Sequence, residues 1–255
     1  MKPENRRTEI VEMLLEQGSA SLEELANRFS VSTMTIHRDL DFLENDGLLR
    51  KVRGGASIES SGEFESDFRY RTRLSTLEKS SITRQAATFV EPGTSVMIDD
   101  GTTSQTIVPW LLQKTPLTVI TNNLAIMEEL ADQSSVNLIA LGGSFSKKYQ
   151  GFFGVLTHQA LSALRADVAL VSASAISGST AFHQDQEVLS VKRQMIAASA
   201  ASYLMVDHRK FGKTALHLFS ELDMFDGVIV SQSLPSETVQ ELHASGVKVF
   251  IADEQ

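Results

Sequence analysis

The sequence predicts an α/β protein in two parts: an N-terminal winged helix-turn-helix domain, then a larger Rossmann-like domain on a mostly parallel sheet. Three observations carry this. Helix, capped helix, short turn, helix and a basic hairpin pattern succeed one another in the first 57 residues. From about residue 76, seven short apolar runs recur, mostly separated by helical patterns. Between them lies polar, aperiodic sequence ("SIESSGEFES", 57–66) that reads as a linker. The expected boundaries are 1–57, a linker over 58–75, and 76–255.

The first helix, over 6–17, carries Ile10, Val11, Leu14 and Leu15 on one side. The second begins at "SLEE", a capping box in which Ser21 caps and Glu24 reaches back to the freed amide. Leu22, Leu25, Ala26 and Phe29 then share one face. After the turn "SVS", Ser32 is placed to cap a third helix with Ile36, Leu40 and Leu43 as its apolar stripe. Gly47 is placed to end it in a left-handed conformation. "LLRKVRGGASI" alternates apolar and basic residues around a Gly-Gly pair, the pattern of a two-stranded ribbon.

Packing of the second helix on the third through Leu25, Phe29, Ile36 and Leu40 leaves the third helix's first turn projecting. That turn offers Ser32, Thr33, Thr35, His37 and Arg38 to phosphates and base edges. Asp39, Asp41, Glu44 and Asp46 come later, and Arg50, Lys51 and Arg53 form a separate basic patch on the ribbon. The charge totals argue the other way: the chain sums to −9, and residues 1–60 hold 8 Lys and Arg against 11 Asp and Glu. The case for double-stranded DNA therefore rests on where the charges sit. The competing reading is a three-helix bundle for protein contacts, with these charges as a solvated face.

Composition narrows the rest. No cysteine is present, which excludes disulfides and thiolate metal sites. No apolar run approaches the ~18–20 residues of a membrane span, and "MKPENRRTEIVEM" lacks the apolar core of a secretory signal. A reducing cytoplasm is the expected location. The six histidines are scattered with no i, i+4 pair, so no metal site is expected.

In the second domain the strand runs are "SVMI" (95–98), "LTVIT" (117–121), "VNLIAL" (136–141), "DVALVSA" (167–173), "YLMVD" (203–207), "GVIVS" (227–231) and "VKVFIA" (247–252). Three successive strand ends are polar. "MIDDGTTS" puts Gly101, Thr102, Thr103 and Ser104 where a strand turns into a helix, a cradle for an anion or else a simple capped turn. "VITNN" adds Thr121, Asn122 and Asn123, and "LGGSF" adds Gly142 and Gly143. Ligands of open α/β sheets bind beyond the carboxyl ends of the strands. With neither GxxxxGK[ST] nor GxGxxG in the chain, a small phosphorylated ligand fits better than ATP or NAD, and no cofactor is expected.

"VSTMTIHRDLDFLENDGLLRKVRGGA" resembles the N-terminal signature of the DeoR family of bacterial transcription regulators, and the resemblance continues into the second domain. The family's Asp-x-Gly-Thr-Thr falls on Asp99, Gly101, Thr102 and Thr103, its Thr-Asn on Thr121 and Asn122, and its Leu-Gly-Gly on Leu141, Gly142 and Gly143. "VKRQMI" and "VDHRKFGK" match further segments, which makes Lys192 and Lys210 candidate charged partners of an effector, or else surface lysines and ion-pair members. Two places depart. His37 stands where the family usually has arginine, which weakens one expected phosphate or guanine contact and bears on the operator sequence rather than on the docking mode. "VSASAISGSTAFHQDQE" (171–187) replaces a more glycine-rich segment, leaving His183, Gln184 and Asp185 as effector contacts or as a polar loop.

The resemblance implies a DNA-binding regulator, a repressor of a sugar or polyol catabolic operon relieved by a phosphorylated sugar or polyol. A homo-oligomer, dimer or tetramer, would present two reading heads to a pseudo-palindromic operator. The implied fold is similar to ribose-5-phosphate isomerase, so the alternative is an isomerase-like enzyme carrying a DNA-binding module. Nothing in the sequence gathers Asp99, Asp100, Glu187, Lys192 and Asp207 around one proton, and no catalytic residue is assigned.

Overall fold

The computed structural model describes residues 2–45, 48–57, 71–72 and 75–253. Asp46 and Gly47, most of the expected linker and the side chain of Leu15 lie outside the described residues. The chain divides into two compact units, residues 1–74 and 75–255.

The first unit runs α1 (Pro3–Gln17), β1 (Ser19–Ser21), α2 (Leu22–Phe29), α3 (Thr33–Asn45), β2 (Arg50–Val52) and β3 (Gly55–Ser57). The capping box at α2 is complete: Glu24 N donates to Ser21 Oγ over 3.2 Å, and Ser21 N donates to Glu24 Oε2 over 2.7 Å. At the start of α3, Ser32 Oγ accepts from Thr35 N at 3.2 Å. Ile10, Leu14, Leu25, Ile36, Leu40 and Leu49 are fully buried in one core, with Phe29 and Leu43 beside them. Burying each such side chain stabilises the fold by roughly 1.5–3 kcal/mol. The expected two-stranded ribbon is a three-stranded antiparallel sheet in the order β1-β3-β2. Strand β1, "SAS", is too short and too polar to show an alternation.

The second unit contains α4 (Thr76–Ala86), β4 (Ser95–Ile98), α5 (Thr102–Gln105), α6 (Val108–Leu111), β5 (Leu117–Thr121), α7 (Leu124–Leu130) and β6 (Val136–Ala140). It continues with β7 (Ser144–Ser146), β8 (Gly151–Phe153), α8 (Val155–Ser162), β9 (Ala166–Ser172), β10 (Ala175–Ser177), β11 (Thr180–His183) and α9 (Gln186–Ala197). It closes with β12 (Ser199–Val206), β13 (His217–Glu221), β14 (Gly227–Ser231), α10 (Ser236–Ala244) and β15 (Val249–Ala252).

All seven apolar runs are strands of one parallel sheet, ordered β15-β14-β12-β9-β4-β5-β6. Alternate residues feed two apolar layers. Met97, Ala169, Leu204 and Val228 enter one, while Ile98, Leu170, Met205 and Ile229 enter the other. Burial on both faces is why these strands read as continuous apolar runs.

Residues 171–183 finish β9 and form the β10–β11 hairpin, which His183 ends. Gln184 and Asp185 form the short polar connection to α9, where Asp185 Oδ1 accepts from Glu187 N at 2.9 Å. Strand β11 also pairs with β13, giving a small antiparallel sheet beside the main one. A second hairpin, β7–β8, follows Gly143. From β4 the chain first adds β5 and β6 on one side, then crosses to add β9, β12, β14 and β15 on the other. The switch point therefore lies between β4 and β9, where a doubly wound sheet opens a crevice.

Candidate functional site

The first turn of α3 places Ser32, Thr33 and Arg38 at the surface and leaves Thr35 and His37 half-buried. Ser32 Oγ and Thr35 Oγ1 also bond each other at 2.9 Å, so these two hydroxyls shape the start of the helix. Met34, 62% exposed, stands among them as an apolar member that residue-type reasoning passed over.

Of the described acids of α3, Asp41 and Glu44 are exposed, but Asp39 is not. Asp39 is buried and accepts Arg6 Nε on Oδ2 at 2.6 Å and Arg7 Nε on Oδ1 at 2.9 Å. The Arg7 guanidinium also lies 3.8 Å from the centroid of the Phe42 ring. This buried tie orients α3 on α1, and a separation of more than thirty residues hid it from sequence reading. Asp41 pairs with the ammonium of Lys51, and Glu44 Oε1 accepts from Lys51 N at 2.7 Å. The Asp41 hydrogen bond holds the Lys51 pKa above its ordinary value. Lys51 thus ties the ribbon to α3, whereas Arg50 and Arg53 are exposed with no partner among the described residues.

In the second unit the polar residues converge at the switch point. Asp99 and Asp100 follow β4, Ser172 ends β9, and Lys192 reaches in from α9. Asp99 Oδ1 accepts from Gly101 N at 3.0 Å and from the Ser104 hydroxyl. Its Oδ2 accepts from Ser172 N at 2.6 Å, from Ser172 Oγ at 3.1 Å and from the Lys192 ammonium. Lys192 Nζ also lies 3.0 Å from Asp100 Oδ1. All three charged side chains are at most 2% exposed.

Burial by itself would push Asp99 up, but the neighbouring Lys192 charge and the donors from Lys192, Ser104 and Ser172 hold it below the usual carboxylate range. Burial would likewise lower Lys192, and the charges of Asp100 and Asp99 more than reverse this. Asp99 and Lys192 therefore form a buried ion pair, and Asp100 lies against the same ammonium. A Cβ on Gly101 would lie 2.2 Å from Ser172 Oγ, so glycine there makes room for the cluster.

The remaining expected residues divide. Thr121 Oγ1 donates to Ile98 O at 2.7 Å and accepts from Asn123 N at 3.0 Å, and so secures the strand end. Asn123 caps α7, accepting from Ala125 N at 3.0 Å. Gly143, at φ +148, would put a Cβ 2.3 Å from Phe153 O, whereas Gly142 is exposed with open space around it. Lys210 sits half-buried in a short 3-10 turn after β12. Thr102 and Thr103 are buried at the start of α5.

The β7–β8 hairpin, which sequence reading missed, leans on the same rim. Phe152 N donates to Asn122 O at 2.9 Å, Asn122 Nδ2 donates to Phe152 O at 3.1 Å, and Asn123 bridges Gly151. His183 is buried, and its ring centroid lies 6.0 Å from that of Tyr149 in this hairpin. Among the described residues no group of three His, Asp or Glu is placed to hold a metal ion, and no helix is long and apolar enough to cross a membrane.

Comparison with known proteins matches residues 6–62 to the DeoR-like helix-turn-helix domain and residues 75–232 to the DeoR C terminal sensor domain. The glycerol-3-phosphate regulon repressor of Escherichia coli (strain K12) is 32% identical over 243 residues, covering 95% of this chain and 96% of that protein. The L-fucose operon activator of Haemophilus influenzae is 32% identical over 233 residues, covering 91% and 93%. Both are named as regulators, neither as an enzyme. Among solved structures, ribose 5-phosphate isomerase A from Methanocaldococcus jannaschii aligns with a TM-score of 0.39 at 14% identity, over 53% of this chain and 54% of that one.

Proposed function

The chain belongs to the DeoR family of DNA-binding transcriptional regulators, and from that premise we propose that it represses a sugar or polyol catabolic operon and is released by a phosphorylated sugar or polyol. The observation that carries the effector half is the buried Asp99–Lys192–Asp100 triad at the switch point of the parallel sheet. Burying the Asp99–Lys192 ion pair with a second aspartate in an otherwise apolar domain is costly, and perturbed charges in a sheet crevice mark binding sites.

In this reading Thr33, His37 and Arg38 reach base edges and phosphates, Arg50 and Arg53 hold the backbone, and Ser32, Thr35 and Lys51 fix the geometry. Thr102 and Thr103 take the phosphate. Asp99, Gly101, Ser104, Thr121 and Gly143 maintain the rim, with Asn122, Gly142, Lys192 and Lys210 around the ligand. A dimer or tetramer in the cytoplasm presents paired heads to a pseudo-palindromic operator. The effector shifts operator affinity only by its differential affinity for the DNA-competent and DNA-incompetent arrangements.

The test has two stages. Selection of duplexes by the purified protein identifies the operator, and titration with phosphorylated sugars and polyols then measures its release. Release by a phosphorylated compound at concentrations where its unphosphorylated form is inert supports the proposal. No release by any, or turnover of a sugar phosphate by the protein alone, refutes it.

A further inference from the structure

Two buried side-chain polar atoms, one on Asn122 and one on Gln184, have no hydrogen-bond partner among the described residues. Asn122 is fully buried, and its Nδ2 donates to Phe152 O at 3.1 Å, which fixes the orientation of the amide. Its Oδ1 accepts nothing. Gln184 Nε2 is also buried and donates to nothing. Such atoms are rare in folded proteins, because a buried polar group without a partner loses its hydration and gains nothing in return.

Asn122 borders the β7–β8 hairpin. A Cβ on Gly151 would come within 3.1 Å of Asn122 O and 3.2 Å of Asp100 Cβ, so this hairpin residue packs directly against both. Gln184 follows His183, whose ring meets Tyr149 in the same hairpin.

Charge selects the chemistry that fits. Asp99 and Asp100 outnumber Lys192, and Lys192 is already bonded to both. A phosphate dianion at Asn122 would meet excess negative charge and an acceptor oxygen, with no proton of its own to donate. A hydroxyl both donates and accepts, and it is neutral.

We infer that Asn122 Oδ1 and Gln184 Nε2 recognise hydroxyl groups of the effector's carbon chain, Asn122 accepting from one O–H and Gln184 donating to another oxygen. The effector's phosphate lies apart from both. These two residues then set which hydroxyl pattern is accepted. This inference rests on the proposed binding of a phosphorylated sugar or polyol and deepens it.

The test uses calorimetric titration of the full chain. The probes are glycerol 3-phosphate, ribose 5-phosphate and glucose 6-phosphate, counterparts of each lacking a single hydroxyl, and inorganic phosphate. For a probe that binds, removing one particular hydroxyl should weaken wild-type binding at least tenfold. Asn122→Ala or Gln184→Leu should weaken the intact probe to the same extent and leave the matching deoxy probe within twofold. Inorganic phosphate should bind the variants as it binds the wild type.

Independent, additive losses from substitution and deoxygenation overturn the inference, as does an equal loss for inorganic phosphate. Unchanged binding of intact probes to the variants means that a resident water serves these atoms, which also overturns it. If Asn122→Ala fails to fold, Gln184→Leu alone decides, since the unpaired Gln184 nitrogen holds nothing in place. Failure of every phosphorylated probe to bind wild type refutes the effector proposal itself, a result distinct from these.

Discussion

Lys192 Nζ stands 3.0 Å from Asp100 Oδ1 and bonds Asp99 as well, from a helix that begins more than eighty residues later in the chain. The three side chains are buried together, so each one's charge depends on the other two.

Lys192→Met removes the only cation of the triad and leaves two carboxylates facing each other. Breaking a buried pair in this way costs about 3–5 kcal/mol. Urea unfolding of the sensor domain at pH 7 should show that loss. The deficit should narrow towards pH 5, because one of the repelling carboxylates takes up a proton.

In the wild type, Asp99 is held below its ordinary pKa and Lys192 above its own, with burial opposing both charges and the partners outweighing it. The Asp99 contribution is fully present above the unfolded pKa of about 4 and is lost as pH falls through the lower folded value. That of Lys192 is full below about 10.4 and is lost as pH rises through its higher folded value. The stability gap between wild type and Asp99→Asn should therefore stay constant from about pH 5 to 9 and close under strong acid. A gap that widens on acidification would contradict an ionised Asp99–Lys192 pair.

Asp39→Ala strands the buried Arg6 guanidinium, whereas Asp41→Ala releases a Lys51 that is 30% exposed. The first should destabilise the DNA-binding unit by about 3 kcal/mol or more, and the second far less, because solvent screens an exposed pair. Hydrogen exchange of α1 and α3 amides distinguishes them. Equal protection in both variants would remove Asp39 as the tie between the helices.

Arg53→Ala should lower the salt dependence of operator binding by about one phosphate contact, while Lys51→Ala changes it little, because Asp41 already holds that ammonium. Arg38→Ala should cost roughly 1–3 kcal/mol of specific binding and relax the base preference at one position. Fluorescence anisotropy with operator and random duplexes across a salt series reads all three.

Much of the architecture was legible from short-range pattern. The capping box at Ser21, the apolar stripe of α3 and the seven core strands each depend on spacings of two to four residues. The hairpins at 144–153 and 175–183 were not legible, because strands of three or four small or mixed residues carry too little periodicity to stand out. At the site, Asp99, Lys192 and Asn122 were recognisable as residue types at strand ends and in matching segments. Their partners were not, and the partners decide what each does: Ser104 and Thr121 spend their hydroxyls inside the protein, and Lys51 spends its charge on Asp41.

The sequence by itself determined the two units, the helix-turn-helix order, the parallel sheet and the family, since all of these follow from local periodicity and contiguous motifs. Only the tertiary structure decided that Asp39 belongs to Arg6 and Arg7, that Lys192 is shared by two aspartates, and that the Asn122 oxygen is left without a partner. The physical reason is that hydrogen bonds and ion pairs act over about 3 Å. Which groups come that close depends on how distant segments pack, and no local pattern along the chain encodes it.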